Sequence, residues 1–319
     1  MPSIFAASFE GSATPAFDLR CLRPGMKHPD GWGIGFYPSS EPHGTVLKET
    51  PTASRGMRDP VQSWGELEST IFLVQLRTAK WGGLNDANTQ PFGRTFARRV
   101  WLFAHSGSLH RRLELDENAL FEPVGSSDSE TLFCALMGRV AAAGARSLAD
   151  VSPETLKGWF GELGAAGDTT CVWSDGRDVV AYAGFGVEPL YRATVLPPVD
   201  QLTLSDEALA VNLTARGPVS RRAVLFSSSP LASAGSSQVQ FEQMSPGQLV
   251  VVREGAITSE QTSGPVEREA PRTVARPARM PPKVLHLHHH TVYEYDNPVQ
   301  RSVHRLRLQP IHDRRQRLL

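Results

Sequence analysis

The chain has 319 residues, 40% of them hydrophobic, with 33 Lys and Arg balanced by 33 Asp and Glu. That length supports one large domain plus something smaller, and the zero net charge argues against an electrostatic nucleic-acid or membrane-surface binder. Three widely spaced cysteines, Cys21, Cys134 and Cys171, supply neither a disulfide framework nor a zinc pattern, so a reducing, cytoplasmic setting is expected. The opening residues lack a secretory signal, and no run approaches the roughly 18 apolar residues of a membrane helix.

Residues 1–260 alternate strand-like and helix-like segments. Short runs rich in Val, Phe and Trp, bounded by Gly, Asp, Ser or Pro, predict strands at Ile4–Phe9, Trp32–Tyr37, Val46–Glu49, Ile71–Arg77 and Val100–His105. The same signature predicts strands at Thr169–Trp173, Val179–Phe185, Ala223–Ser227 and Leu249–Arg253. Asp175-Gly176 reads as a hairpin turn, because both residues tolerate positive φ. Ser127 and Glu130 form a capping-box pattern ahead of Leu132, Phe133, Leu136, Met137 and Val140 at helical spacing. Ser152-Pro153-Glu154 places an N-cap, a first-turn Pro and an early acid before Leu156, Trp159, Phe160 and Leu163. Many strands with two long helices predict a layered α+β domain.

Residues 261–282 are dominated by Pro, Arg, Glu, Ser and Thr without apolar periodicity, which is a linker composition. From 283 to 319 alternation returns, with Leu287, His289, Thr291, Tyr293 and Tyr295 on one face of a strand pattern. His286, His288 and His290 share the other face; without a Cys or carboxylate at finger spacing, no metal site is expected there.

Five blocks carry a family signal. They are Met1-Pro2-Ser3-Ile4-Phe5-Ala6, Asp30-Gly31-Trp32-Gly33-Ile34-Gly35-Phe36-Tyr37, Val74-Gln75-Leu76-Arg77-Thr78-Ala79, Asn88-Thr89-Gln90-Pro91-Phe92, and Trp101-Leu102-Phe103-Ala104-His105-Ser106-Gly107. The last leads on to Pro123-Val124-Gly125-Ser126-Ser127-Asp128-Ser129-Glu130. In this order they resemble the class II glutamine amidotransferases, which are N-terminal-nucleophile hydrolases. The resemblance implies a four-layer αββα sandwich over about residues 1–260, two stacked and mainly antiparallel sheets flanked by helices. The stretch His289–Val299 with Ser302–Pro310 resembles the N-terminal β region that precedes bacterial transglutaminase-like domains. It implies an incomplete second domain at 283–319 and a transglutaminase-like domain or protein as a partner.

Glutamine hydrolysis needs a thiol, a free α-amine as base, an oxyanion hole and ionic contacts to the α-carboxylate and α-ammonium. Carried over residue by residue, the resemblance makes Arg77 the carboxylate clamp, Asp128 the ammonium partner and Gly107 an oxyanion-hole N–H donor. The departures are equally specific. Pro2 stands where the family has its nucleophilic Cys, Ser106 where it has the oxyanion-hole Asn, Gln75 in place of a His and Lys80 in place of a Thr. Ser3, the Pro2 amine and Cys21 between Arg20 and Arg23 are the substitute nucleophiles to weigh.

Each marked residue also has a structural reading. Arg77 could be a strand-end ion pair, Asp128 a first-turn acid favoured by the helix dipole, and Gly31, Gly33 and Gly35 a tight turn or close sheet packing. No Gly-Lys-Ser/Thr follows those glycines, so they are not a phosphate loop. Glu114-Leu115-Asp116-Glu117 reads as a solvated acidic loop. Three functions stay open. The first is a domain that binds glutamine or a related amino acid with hydrolysis lost or weak. The second is an active amidohydrolase with an atypical nucleophile, and the third is a non-catalytic interaction scaffold. No cofactor is expected.

Overall fold

The computed structural model describes residues 3–38, 41–50, 67–79, 83–111, 113–116, 118–186, 188–262 and Val292. The chain divides into two compact units, Met1–Arg268 and Glu269–Leu319. Apart from Val292, the second lies outside the described residues, as do Pro2, Lys80 and the histidines at 286–290.

In chain order the first unit contains β1 (Ile4–Ala13), β2 (Ala16–Asp18), β3 (Gly31–Phe36), β4 (Thr45–Glu49), β5 (Ser69–Arg77), β6 (Phe92–Phe96) and β7 (Arg99–Ser106). The helices α1 (Asp128–Ala142) and α2 (Pro153–Gly164) follow, and then β8 (Thr170–Ser174), β9 (Asp178–Tyr182) and β10 (Tyr191–Val195). The chain continues with β11 (Thr203–Ser205), β12 (Ala210–Asn212), β13 (Ala223–Ser227), β14 (Ala232–Ala234), β15 (Glu242–Gln243), β16 (Gln248–Arg253) and β17 (Ala256–Thr262).

Seven strands form one sheet in the order β15-β10-β13-β1-β5-β3-β4, six form a second as β17-β16-β9-β8-β7-β6, and four short ones form a third as β14-β11-β12-β2. Alternation along β1 shows how the layers meet. Ile4 and Ala6 face a core shared with Leu102, Ala104, Val172 and Ala181 of the six-stranded sheet. Phe5, Ala7 and Phe9 face the opposite way, into a core with Phe17, Leu204 and Val211 of the small sheet. A period of two therefore buries β1 on both sides. The third core lies between the six-stranded sheet and the helices, where Phe103 stacks on Phe133 at 5.0 Å and Phe160 on Tyr182 at 4.7 Å. Among the described residues, helices cover the six-stranded sheet and the short-stranded sheet covers the seven-stranded one.

Both helices start where expected. Ser127 Oγ accepts the Glu130 N–H at 3.3 Å, and Ser152 Oγ accepts the Thr155 N–H at 3.1 Å. The capping box at α1 is only half formed, however. Glu130 turns inward, where its carboxylate pairs with Arg94 and accepts the N–H groups of Val124 at 3.0 Å and Gly125 at 2.6 Å. An Arg and two loop donors outcompete the single N-cap N–H. The Gly31–Phe36 run is a buried strand and not a tight turn. A Cβ at Gly33 would lie 2.2 Å from the Gln90 oxygen, so close packing is the reason for a glycine there. The Asp175-Gly176 turn joins β8 to β9, with Gly176 at φ +89°. The strand expected to reach Phe185 ends at Tyr182.

Candidate functional site

β1 and β5 run antiparallel, so the start of one meets the end of the other, and the Leu76 N–H donates to the Ser3 oxygen at 2.9 Å. The end of β7, in the opposing sheet, and the N-terminus of α1 close on the same place. The result is a cavity of about 270 Å³ lined by Ser3, just ahead of β1, and by residues of β5, β7 and α1.

β5 contributes Gln75 and Arg77, two residues apart and both lining the cavity. Arg77 is buried, at 4% exposure, and donates to the Gly83 oxygen at 3.1 Å. Burial lowers the pKa of its guanidinium from the ordinary value, while the Asp30 and Asp128 carboxylates oppose that shift. The Asp30 carboxylate is held by the Ala79 N–H at 2.8 Å. Asp128, the first residue of α1, accepts the Leu109 N–H at 2.7 Å and the Ser129 N–H at 2.9 Å. It thus ties the helix start to the loop after β7, and it lines the same cavity as Arg77.

Gly107 opens that loop at φ +142°, and a Cβ there would lie 2.7 Å from the Asp168 oxygen. Neither the conformation nor the space suits another residue. Ser106 Oγ lies 2.6 Å from Ser3 Oγ. Ser228 Oγ receives the Ser3 N–H at 2.7 Å and the Ile4 N–H at 3.1 Å, pinning the start of β1. The nitrogen of Ser3 is thus a bonded backbone amide and offers no free base. Cys21 is buried in the core beneath the seven-stranded sheet and does not line the cavity. Its neighbours Arg20 and Arg23 pair with Asp18 at 3.6 and 2.6 Å. Burial also raises the Cys134 and Cys171 thiols.

Arg77, Ser106, Gly107, Asp128 and Ser3 therefore come together. Four further residues line the cavity, Gln90, Asn88, His105 and Ser129. Gln90 holds the end of β7 with both amide atoms, donating to the His105 oxygen at 3.2 Å and accepting the His105 N–H at 2.6 Å. The buried Asn88 accepts the Ser126 N–H at 2.7 Å and braces the approach to α1. His105 bonds Ser129 Oγ through Nδ1 and the Asp168 oxygen through Nε2, each at 2.8 Å. Each of these sits inside a quoted block; His105 and Ser129 adjoin the marked Ser106 and Asp128, whereas nothing local distinguishes Asn88 or Gln90. Among the described residues no group of three His, Cys, Asp or Glu could hold a metal, and no helix is long and apolar enough to cross a membrane.

The family model of the class II glutamine amidotransferases matches residues 1–276, and that of the bacterial transglutaminase-like N-terminal region matches residues 285–319. An uncharacterised protein of Methanocaldococcus jannaschii is 29% identical over 231 residues, which are 72% of this chain and 62% of that protein, so the chain spans less than two thirds of that relative. YafJ of Escherichia coli K12, whose name assigns it provisionally to the glutamine amidotransferases, is 28% identical over 206 residues, 64% of this chain and 78% of YafJ. A crystal structure from Pseudomonas aeruginosa, described as a predicted glutamine amidotransferase, superposes with a TM-score of 0.65 at 24% identity over 81% of this chain and 99% of that one. That last likeness shows a shared fold.

Proposed function

Since the chain belongs to the class II glutamine amidotransferase family, we propose that its cavity binds glutamine or a closely related amino acid and that the family's thiol chemistry has been lost from it. The observation that carries this reading is the placement of a buried guanidinium and a carboxylate, Arg77 and Asp128, in one small cavity. An α-amino acid presents the complementary pair. Arg77 offers a planar fork of donors to the α-carboxylate, and Asp128 offers an acceptor to the α-ammonium. Ser3, Ser106 and Gly107 line the same cavity and are groups suited to a distal carboxamide.

Composition removes the means for thiol chemistry. Pro2 has neither thiol nor hydroxyl, and all three cysteines are buried. At the oxyanion position Ser106 is a short donor whose oxygen is already bonded to Ser3. Removing one such donor typically slows an enzyme by about 10²–10³. What remains is a ligand-holding domain with weak hydrolysis at most, acting in the cytoplasm beside a transglutaminase-like domain or protein. Titration of L-glutamine into the full chain tests the reading. A saturating heat in the wild type that disappears in Arg77→Ala supports it, and equal binding by both removes the clamp.

A further inference from the structure

We propose that Gln75 sets the side-chain specificity of this cavity. Its amide meets the distal group of the ligand, offering an acceptor to the carboxamide of glutamine or a donor to the carboxylate of glutamate, so that the site takes both amino acids. The proposal rests on the amino-acid reading of the cavity and adds to it the residue that reads the ligand's far end.

The protein leaves this amide unused. Gln75, on β5, is 4% exposed and lines the cavity. Among the described residues its Oε1 is buried without a hydrogen-bond partner. The sheet explains why. Gln75 is in register with Ile4 on β1 and Gly33 on β3, and neither has a polar side-chain atom. Gly33 cannot be enlarged to supply one, because a Cβ there would lie 2.2 Å from the Gln90 oxygen. Leu73 and Arg77 share the face of β5 with Gln75; Leu73 is apolar, and Arg77 donates to the Gly83 oxygen. A partner for Gln75 therefore has to come from the cavity.

A second wall repeats the pattern. Ser108, in the loop after β7, lines the same cavity, and among the described residues its Oγ is also buried without a partner. Buried polar atoms without partners destabilise a fold, and native proteins hold few of them. Two on opposite walls of one cavity point to a ligand that completes them.

The neighbours of Gln75 put it at the distal end of the ligand. Ile4, in register with Gln75, directly follows Ser3, and the Leu76 N–H bonds the Ser3 oxygen at 2.9 Å. Ser3 Oγ in turn lies 2.6 Å from Ser106 Oγ. Gln75 thus adjoins the groups suited to a carboxamide. Arg77, which takes the α-carboxylate, lies about 7 Å further along the strand, a spacing comparable to the length of a five-carbon amino acid. With one ligand oxygen at Ser106 and Gly107, the other arm of the distal group remains for Gln75. In glutamine that arm is an NH₂ donor and in glutamate an oxygen acceptor. The last torsion of a Gln side chain is broad and roughly two-fold. With no partner among the described residues to fix that oxygen, the amide can turn its oxygen to the first or its nitrogen to the second.

The test is calorimetric titration of L-glutamine and L-glutamate into the full chain at pH 8, for the wild type, Gln75→Met and Gln75→Glu. The wild type is expected to bind both with affinities within about 10-fold. Gln75→Met, close in size but without the amide, should weaken both by about 10-fold, while the melting temperature of the ligand-free protein stays level or rises. Gln75→Glu keeps an acceptor and loses the donor, so it should favour glutamine over glutamate at least 10-fold more than the wild type does. Unchanged affinities in a folded Gln75→Met would leave the amide to cavity water and overturn the proposal. So would a lower melting temperature in that variant, a wild type that rejects glutamate, or equal losses of both ligands in Gln75→Glu. Absence of glutamine binding in the wild type would instead remove the amino-acid reading itself.

Discussion

Glu130 links the stability of the fold to the shape of the cavity, and its removal gives a worked expectation. The carboxylate is 1% exposed, pairs with Arg94 and accepts two loop N–H groups, those of Val124 and Gly125. In Glu130→Ala the half-buried Arg94 loses its partner and both N–H groups lose their acceptor. Hydrogen bonds to charged groups contribute about 1.5–3 kcal/mol each, and breaking a buried ion pair by deleting one partner costs about 3–5 kcal/mol. These contributions overlap, so about 3–5 kcal/mol is expected in total. At about 2–4 °C per kcal/mol for a domain of this size, the melting temperature should fall by about 6–20 °C. Circular dichroism or differential scanning calorimetry of the two proteins at pH 7 measures it. The same substitution loosens the segment leading into α1, and glutamine affinity should drop with it. A fall under about 1 kcal/mol would mean the pair behaves as an exposed one, and the account of this carboxylate would be wrong.

Other substitutions probe separate parts of the argument. Arg77→Ala removes one partner of a buried charged contact, so glutamine affinity should weaken by about 2–5 kcal/mol, or roughly 30- to 4,000-fold, in a calorimetric titration; wild-type affinity in the variant would refute the clamp. Gly107→Ala forces a Cβ to within 2.7 Å of the Asp168 oxygen at a φ of +142°; a loss of about 1–3 kcal/mol of stability is expected, and an unchanged melting curve would contradict it. Among the described residues the buried Tyr182 hydroxyl has no hydrogen-bond partner, and burial pushes its pKa up to about 12. A raised folded-state pKa means the folded protein holds this proton longer than the unfolded chain does. Stability should therefore fall as pH rises from about 10 to about 12. Tyr182→Phe should lessen that fall and raise the melting temperature at neutral pH, because an unsatisfied hydroxyl is removed; a lower melting temperature would show the hydroxyl to be useful.

The central strands were legible because they alternate or run continuously apolar between clear turn residues. Ala223–Ser227 was expected and found with identical ends, and β1, β5 and β7 differed only at their margins. β11, β12 and β14 were not legible. Each has three residues, too few for a period of two to show, and tertiary pairing alone holds them in sheet geometry. The cap at α1 was half legible: the Ser127 pattern is local, whereas the turn of Glu130 toward Arg94 depends on residues 36 apart in sequence. The same distinction governs the site. Arg77, Asp128 and Gly107 stood out because their blocks resemble a family. His105 and Ser129 lay inside those blocks without distinction, 24 residues apart, and only the fold makes them a pair. Ser228 is farther still, 225 positions along the chain from the Ser3 that it anchors.

Titration of L-glutamine into the full chain, with its N-terminus verified by mass, tests the central claim most directly. The account predicts a saturable binding heat, with no continuing heat from rapid turnover after each injection. No binding heat would contradict it by leaving Arg77 and Asp128 without a ligand, and a sustained heat of fast hydrolysis would contradict the loss of efficient chemistry.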